Sequence, residues 1–183
     1  MHVGTDGAIL GAQAVGADGV DRRIDVIATA MRAGLKATDL IDLDLAYAPP
    51  YGQAKDPVNQ TGMVAHNVLT GELVLTGPDA LTEDMPVLDV RTVGEYAAGH
   101  MPNSLNIPHT QLRDRLDEVQ AWVDESVGDQ PFVVMCAAGV RSWIGYRIVR
   151  HAGFTVTMLS GGIQTLRAWL GEKAEAVLVT GER

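Results

Sequence analysis

Phe132-Val133-Val134-Met135-Cys136-Ala137-Ala138-Gly139-Val140-Arg141 is the stretch from which the rest of this chain is read. Four uninterrupted apolar residues predict a strand buried on both faces. The strand ends on the only cysteine of the 183 residues. Small residues follow it, and a helical pattern then runs from Trp143 to His151. A strand that hands a thiol to a tight turn at a helix N-terminus builds a nucleophile and an anion cradle together. Turn amides point inward, and the positive end of the helix dipole favours thiolate over thiol. Ala137 and Ala138 leave room over the sulfur, and Gly139 permits a backbone turn that other residues resist. Arg141 brings a fixed positive charge to the same pocket. A lone cysteine closing an apolar strand also fits a small buried hydrophobe, but the residues after it favour the nucleophile.

Strand and helix signals alternate on both sides of this stretch. Leu73–Leu75, Val87–Val90, Leu105–Ile107 and Val156–Leu159 predict further strands. Thr92-Val93-Gly94-Glu95 has the capping-box spacing of a short helix. Leu112, Leu116, Val119 and Val123 form the stripe of a longer helix, and Gly161-Gly162 precedes a last helix through Trp169. Residues 72–183 therefore predict an α/β domain with a mostly parallel sheet. Asp89 and Arg91 follow a strand that ends near the same sheet edge as Cys136. They read either as shapers of the site entrance or, preferably, as an ion pair. The imidazole of His100 is expected to hydrogen-bond a loop carbonyl, and Trp143 and Tyr146 to serve packing.

Residues 1–71 form a different, Gly- and Ala-rich portion. A strand is expected over Ile9–Val15 and an amphipathic helix over Asp21–Leu35, with Ile24, Ile27, Met31 and Leu35 on one face. A short helix over Asp39–Tyr47 and another over Asn59–Leu69 complete the expectation. These elements do not obviously close a core, so the portion is expected to dock against something, with Tyr47 and Tyr51 at a surface or interface.

A hydrophobic fraction of 46% suffices for a packed core. The formal charge of −9 repels phosphate backbones and argues against nucleic-acid binding. One cysteine forms neither an internal disulfide nor a multi-cysteine zinc site, and it points to a reducing compartment. His2, His66, His109 and His151 share no metal-ligand spacing, so no metal is expected. Neither a nucleotide-binding glycine motif, nor a signal-peptide pattern, nor a bilayer-spanning apolar run is visible. The expectation is a cytoplasmic protein that binds neither membrane nor nucleic acid.

From about Glu72 to Leu170 the chain resembles the single-domain rhodaneses. Several motifs carry the resemblance in that family's order: Leu88-Asp89-Val90-Arg91, Glu95 through Pro102, Asn106-Ile107-Pro108, Cys136 to Arg141, and Leu159-Ser160-Gly161-Gly162. The resemblance implies a five-stranded parallel sheet flanked by helices, beside a small α+β N-terminal segment. It also implies sulfane-sulfur transfer, from thiosulfate, polysulfide or a thiol persulfide to a thiol or cyanide acceptor. Cys136 would form the persulfide, and the backbone of Ala137, Ala138, Gly139, Val140 and Arg141 would cradle the sulfur. No cofactor is needed.

Ile9 through Gly16 and Tyr47 through Asn59 resemble a second family. This is the C-terminal dimerisation domain of pyridine nucleotide-disulfide oxidoreductases of the coenzyme A-disulfide reductase type. That resemblance implies a homodimer through residues 1–71. The 183 residues hold no counterpart of the flavin and nicotinamide domains, so reductase activity is not carried over. FAD enters only if the chain acts with a complete reductase, as an interaction or dimerisation module. The nearest enzymatic rival, a cysteine phosphatase, places five residues between cysteine and arginine, whereas four intervene here. A shorter loop makes a narrower cradle that suits a sulfur atom better than a phosphoryl group.

Overall fold

A computed structural model describes residues 1–50 and 52–181. Tyr51 lies outside the described residues. The chain divides into two compact units, Met1–Leu73 and Val74–Arg183.

In the first unit β1 (His2–Val3) pairs antiparallel with β2 (Ile9–Gly11). Gly7 turns the hairpin at φ 83°, a conformation that favours glycine. The strand expected to reach Val15 stops at Gly11, and residues 12–19 are irregular, with no ladder partner. α1 (Val20–Arg32) follows, and Gly34 at φ 76° ends its last turn. The helix expected over Asp39–Tyr47 is instead a 3₁₀ segment, Ala37–Asp42, after which Leu43 is extended. The reason lies in α2 (Pro57–Leu69). From that helix the buried Asn59 donates its side-chain amide to the carbonyls of Leu40, Ile41 and Leu43, the acceptors a continuing helix would use itself. At Gly62 a Cβ would stand 3.0 Å from Ala37 O, Ile41 N and Leu40 Cβ, so the two segments touch backbone to backbone. Contrary to the expectation from sequence, this unit has a core of its own, built from Ile9, Ile27, Ala30, Ala37, Leu40, Val58 and Ala65.

The second unit is built on five parallel strands: β3 (Leu75–Thr76), β4 (Val87–Asp89), β5 (Ser104–Asn106), β6 (Phe132–Met135) and β7 (Val156–Leu159). Their order is β3-β7-β6-β4-β5, which places β6 at the centre with every residue buried. Helices flank the sheet: α3 (Val93–Ala97), α4 (Leu116–Trp122), α5 (Val140–His151), α6 (Gly162–Leu170) and α7 (Ala174–Val177). The first strand starts later than expected because the Val74 amide donates to the Tyr146 hydroxyl instead of a ladder. The stripe from Leu112 to Val123 is not one helix. A 3₁₀ turn (Leu112–Arg115) precedes α4, and a wide π turn (Val123–Val127) follows it, closed by the Gly128 amide on the Val123 carbonyl. Val87, Met101, Val133, Met135, Leu159, Ile163, Leu166 and Leu178 form one core cluster. Leu178 reaches it because Val179 and His100 exchange both backbone hydrogen bonds at 3.0 Å. No helix among the described residues is long and apolar enough to cross a membrane.

Candidate active site

The central strand β6 delivers Cys136 to the end of the sheet where the loop to α5 begins. Two hydrogen bonds decide which way that loop faces. The Ile163 and Gln164 amides of α6 donate to the carbonyls of Cys136 (2.9 Å) and Ala137 (3.1 Å). A Cβ on Gly162 would lie 2.6 Å from both of those oxygens, so the approach requires glycine. With the carbonyl edge committed to α6, the amides that follow turn the other way. Gly139, at φ 124°, donates its N–H to Cys136 Sγ at 3.1 Å.

Cys136 is 1% exposed. Its sulfur lies 3.4 Å from the Ser142 hydroxyl oxygen, which receives the thiol proton, while that hydroxyl donates to the Gly139 carbonyl at 2.9 Å. Burial pushes the thiol pKa up. The hydrogen bond with the Ser142 side chain and those from the amides of Gly139, Ser142 and Ala138 outweigh it, so the thiol sits below its ordinary value. Ala138 and Val140 are exposed on the outside of the loop, and Ala137 contributes its carbonyl to α6.

Arg141 is held in a bidentate fork. Its two terminal nitrogens donate to the two carboxylate oxygens of Glu95, each at 2.7 Å. Glu95 is the third residue of α3, where it also accepts from the Thr92 amide and hydroxyl, completing the predicted capping box. The Arg141 fork, offset in part by burial and helped by the Thr92 bonds, holds the Glu95 carboxyl down at about 2. The same pairing raises the Arg141 pKa, to which the nearby charges of Cys136 and Asp89 add.

Asp89 and Arg91 form a buried ion pair with a closest approach of 2.6 Å. Arg91 also donates to the carbonyls of Glu95 (2.9 Å) and Gly99 (2.8 Å), so the pair anchors α3 from below while α3 presents Glu95 to Arg141. Asp89 and Arg91 therefore act as a frame, the preferred reading from sequence. The His100 ring nitrogen Nδ1 lies 3.0 Å from the Tyr96 carbonyl, and the ring stacks on Tyr96 at 3.7 Å. Trp143 stacks on Tyr146, with the Arg147 guanidinium over its face.

Sequence reasoning left two residues out of the site. Ser142 has no place in the reading from sequence, although it lies one residue past Arg141 and its hydroxyl oxygen meets the Cys136 sulfur at 3.4 Å. Glu95 read only as a cap, and nothing in local spacing shows a partner 46 residues away.

The rhodanese-like domain family model matches residues 77–168. Coenzyme A disulfide reductase of Staphylococcus aureus (strain bovine RF122 / ET3-1) is 49% identical over 57 residues, covering 31% of this chain and 13% of that protein. The enzyme of the same name from Staphylococcus haemolyticus (strain JCSC1435) is 47% identical over 60 residues, covering 33% of this chain and 14% of its own length. Among solved structures, reduced CoADR-RHD of Bacillus anthracis superposes with a TM-score of 0.78 at 37% identity, over 88% of this chain and 28% of that one. The NAD-dependent persulfide reductase of A. fulgidus superposes at 0.71 and 42% identity, over 81% and 26%. The chain thus spans between an eighth and a third of the length of these relatives. A five-stranded parallel sheet that ends its central strand in a cysteine loop agrees with a family match over 92 of 183 residues, and the chain belongs to the rhodanese-like domain family.

Proposed function

We propose that the second unit is a sulfurtransferase that carries sulfane sulfur on Cys136. The observation that supports this most is the Gly139 N–H aimed at the buried sulfur, together with the Ser142 hydroxyl. The Gly139 N–H stabilises negative charge on Cys136 Sγ and on the terminal sulfur of a persulfide formed there. The Ser142 hydroxyl, which accepts the proton of the resting thiol, joins it by turning its own proton to the sulfur once the thiol is ionised. In the first half-reaction the thiolate attacks the outer sulfur of a donor. With thiosulfate, the donor S–S bond breaks, its electron pair leaves with sulfite, and a Cys136 S–S bond forms. In the second half-reaction a thiophile such as cyanide or a thiol attacks the outer sulfur, and the Cys136 thiolate is restored. Both steps are written with sulfur nucleophiles, or cyanide, and need no further group. Cyanide-dependent thiocyanate formation should vanish in Cys136→Ser. Unchanged turnover in that variant defeats the assignment, as does failure of the intact protein to gain the mass of one sulfur from any donor.

A second reading rests on the two reductase superpositions, which run over 81–88% of the chain and so extend beyond the family match. On this reading, residues 1–71 form a homodimerising segment, and the sulfur carrier works within or beside a flavin-dependent reductase. The exposed apolar side chains Leu10, Val15, Met31, Val64 and Val68 of the first unit support it. Sedimentation of the protein should give a dimer mass that persists in dilution to micromolar concentration; a monomer throughout rejects the segment's role.

A further inference from the structure

The Glu95–Arg141 fork bears on which donors the loop accepts, and the inference rests on the sulfur-transfer reading above. Two ion pairs lie at the Cys136 end of the sheet: Arg141 with Glu95, and Arg91 with Asp89. Arg141 is near enough to Cys136 for the thiolate charge to act on it, yet both of its terminal nitrogens point at the Glu95 carboxylate. Glu95 in turn is fixed by the Thr92 amide and hydroxyl and by the Arg91 bond to its carbonyl. A carboxylate held this way on a short helix leaves little freedom to release the guanidinium.

Donors differ in how much they need that guanidinium. Thiosulfate brings two negative charges to a thiolate, and sulfite carries two away. An organic persulfide in its protonated form brings none on its reacting sulfurs: Cys136–S⁻ attacks the outer sulfur of R–S–SH, the S–S bond breaks, R–S⁻ leaves, and Cys136–S–SH forms. Backbone amides and a hydroxyl suffice for the second case, whereas the first gains from an uncompensated cation at the mouth.

We infer that Glu95 is a specificity-determining residue that, by occupying Arg141, tunes the loop toward neutral or singly charged organic persulfides and against the thiosulfate dianion. Glu95 touches neither the sulfur nor the donor in this role; it acts through Arg141.

The test compares thiosulfate with glutathione persulfide, with cyanide as acceptor, on the intact protein and on Glu95→Gln. Glutamine keeps a cap acceptor on α3 and removes the charge. The kcat/KM ratio of thiosulfate to persulfide should rise about tenfold in Glu95→Gln, and the gain should fade toward about 0.5 M salt as the freed cation is screened. The double variant Glu95→Gln/Arg141→Gln should return the ratio to that of the intact protein. Both donors are assayed on one preparation, so partial unfolding cancels from the ratio. An unchanged ratio, or one that stays raised in the double variant, overturns the role of Glu95 while sulfur transfer through Cys136 stands. If neither donor places a sulfur on Cys136 of the intact protein, the transfer reading falls and this inference falls with it.

Discussion

The Gly139 amide reaches the Cys136 sulfur because Gly139 adopts φ 124°, a backbone state that residues with a Cβ rarely hold. The 3.1 Å hydrogen bond and the glycine are therefore one requirement. A Cβ there would meet nothing within 4 Å, so any cost of substitution is conformational rather than steric.

Gly139→Ala should accordingly lose about 1–2 kcal/mol of stability from backbone strain. Thiocyanate formation should fall about tenfold as the amide swings off the sulfur. Urea denaturation and steady-state assays on one preparation check both. Full activity in a stable variant shows that this amide is dispensable.

Ser142→Ala removes a hydrogen bond that lowers the Cys136 pKa. The midpoint of thiolate ultraviolet absorbance should move to higher pH in the variant. The sign also applies to stability. A group whose folded pKa is lowered contributes stability above its unfolded value, and this is lost as pH falls through the folded value. The gain in stability on raising pH toward the ordinary thiol range should therefore be smaller in Ser142→Ala than in the intact protein. A midpoint that stays in place removes the hydroxyl from the account.

Glu95 titrates at about 2 in the fold against an ordinary 4.5. Its contribution is fully present above pH 4.5 and is lost as pH falls toward 2. The Glu95 side chain is 37% exposed, so solvent screening limits the loss in Glu95→Gln to about 1 kcal/mol at neutral pH. The gap between the two proteins should close on acidification through that window. A gap that widens there contradicts the pairing.

Arg91→Ala leaves Asp89 charged, buried and without its partner, at a cost of about 3–5 kcal/mol. It also frees α3 from the sheet end. The double variant Asp89→Asn/Arg91→Met should be more stable than Arg91→Ala, because no orphaned charge remains. Chemical denaturation ranks the three proteins.

The elements that sequence revealed are those whose information is local. Phe132–Met135 is apolar throughout and its neighbours β4 and β7 are short and mostly apolar, interrupted only by Asp89 and Thr157, so their place in a parallel sheet follows from pattern. Thr92 and Glu95 lie three residues apart, and the cap between them forms as that spacing requires. What escaped depends on distant partners. The helix expected at Asp39–Tyr47 is cut short by the amide of Asn59, 16 to 19 residues on. The first parallel strand is displaced by Tyr146, 72 residues from Val74. The fork on Arg141 belongs to the same class: the charge was visible in sequence, but the carboxylate that neutralises it was not.

The depth of Cys136 has a further consequence. A cysteine 1% exposed is sheltered from casual oxidation, a usual hazard of a reactive thiol. Adding one sulfur lengthens the side chain by roughly 2 Å, the S–S bond. Loading would then convert a guarded resting thiol into cargo held nearer the doorway, closer to an incoming acceptor than the resting sulfur.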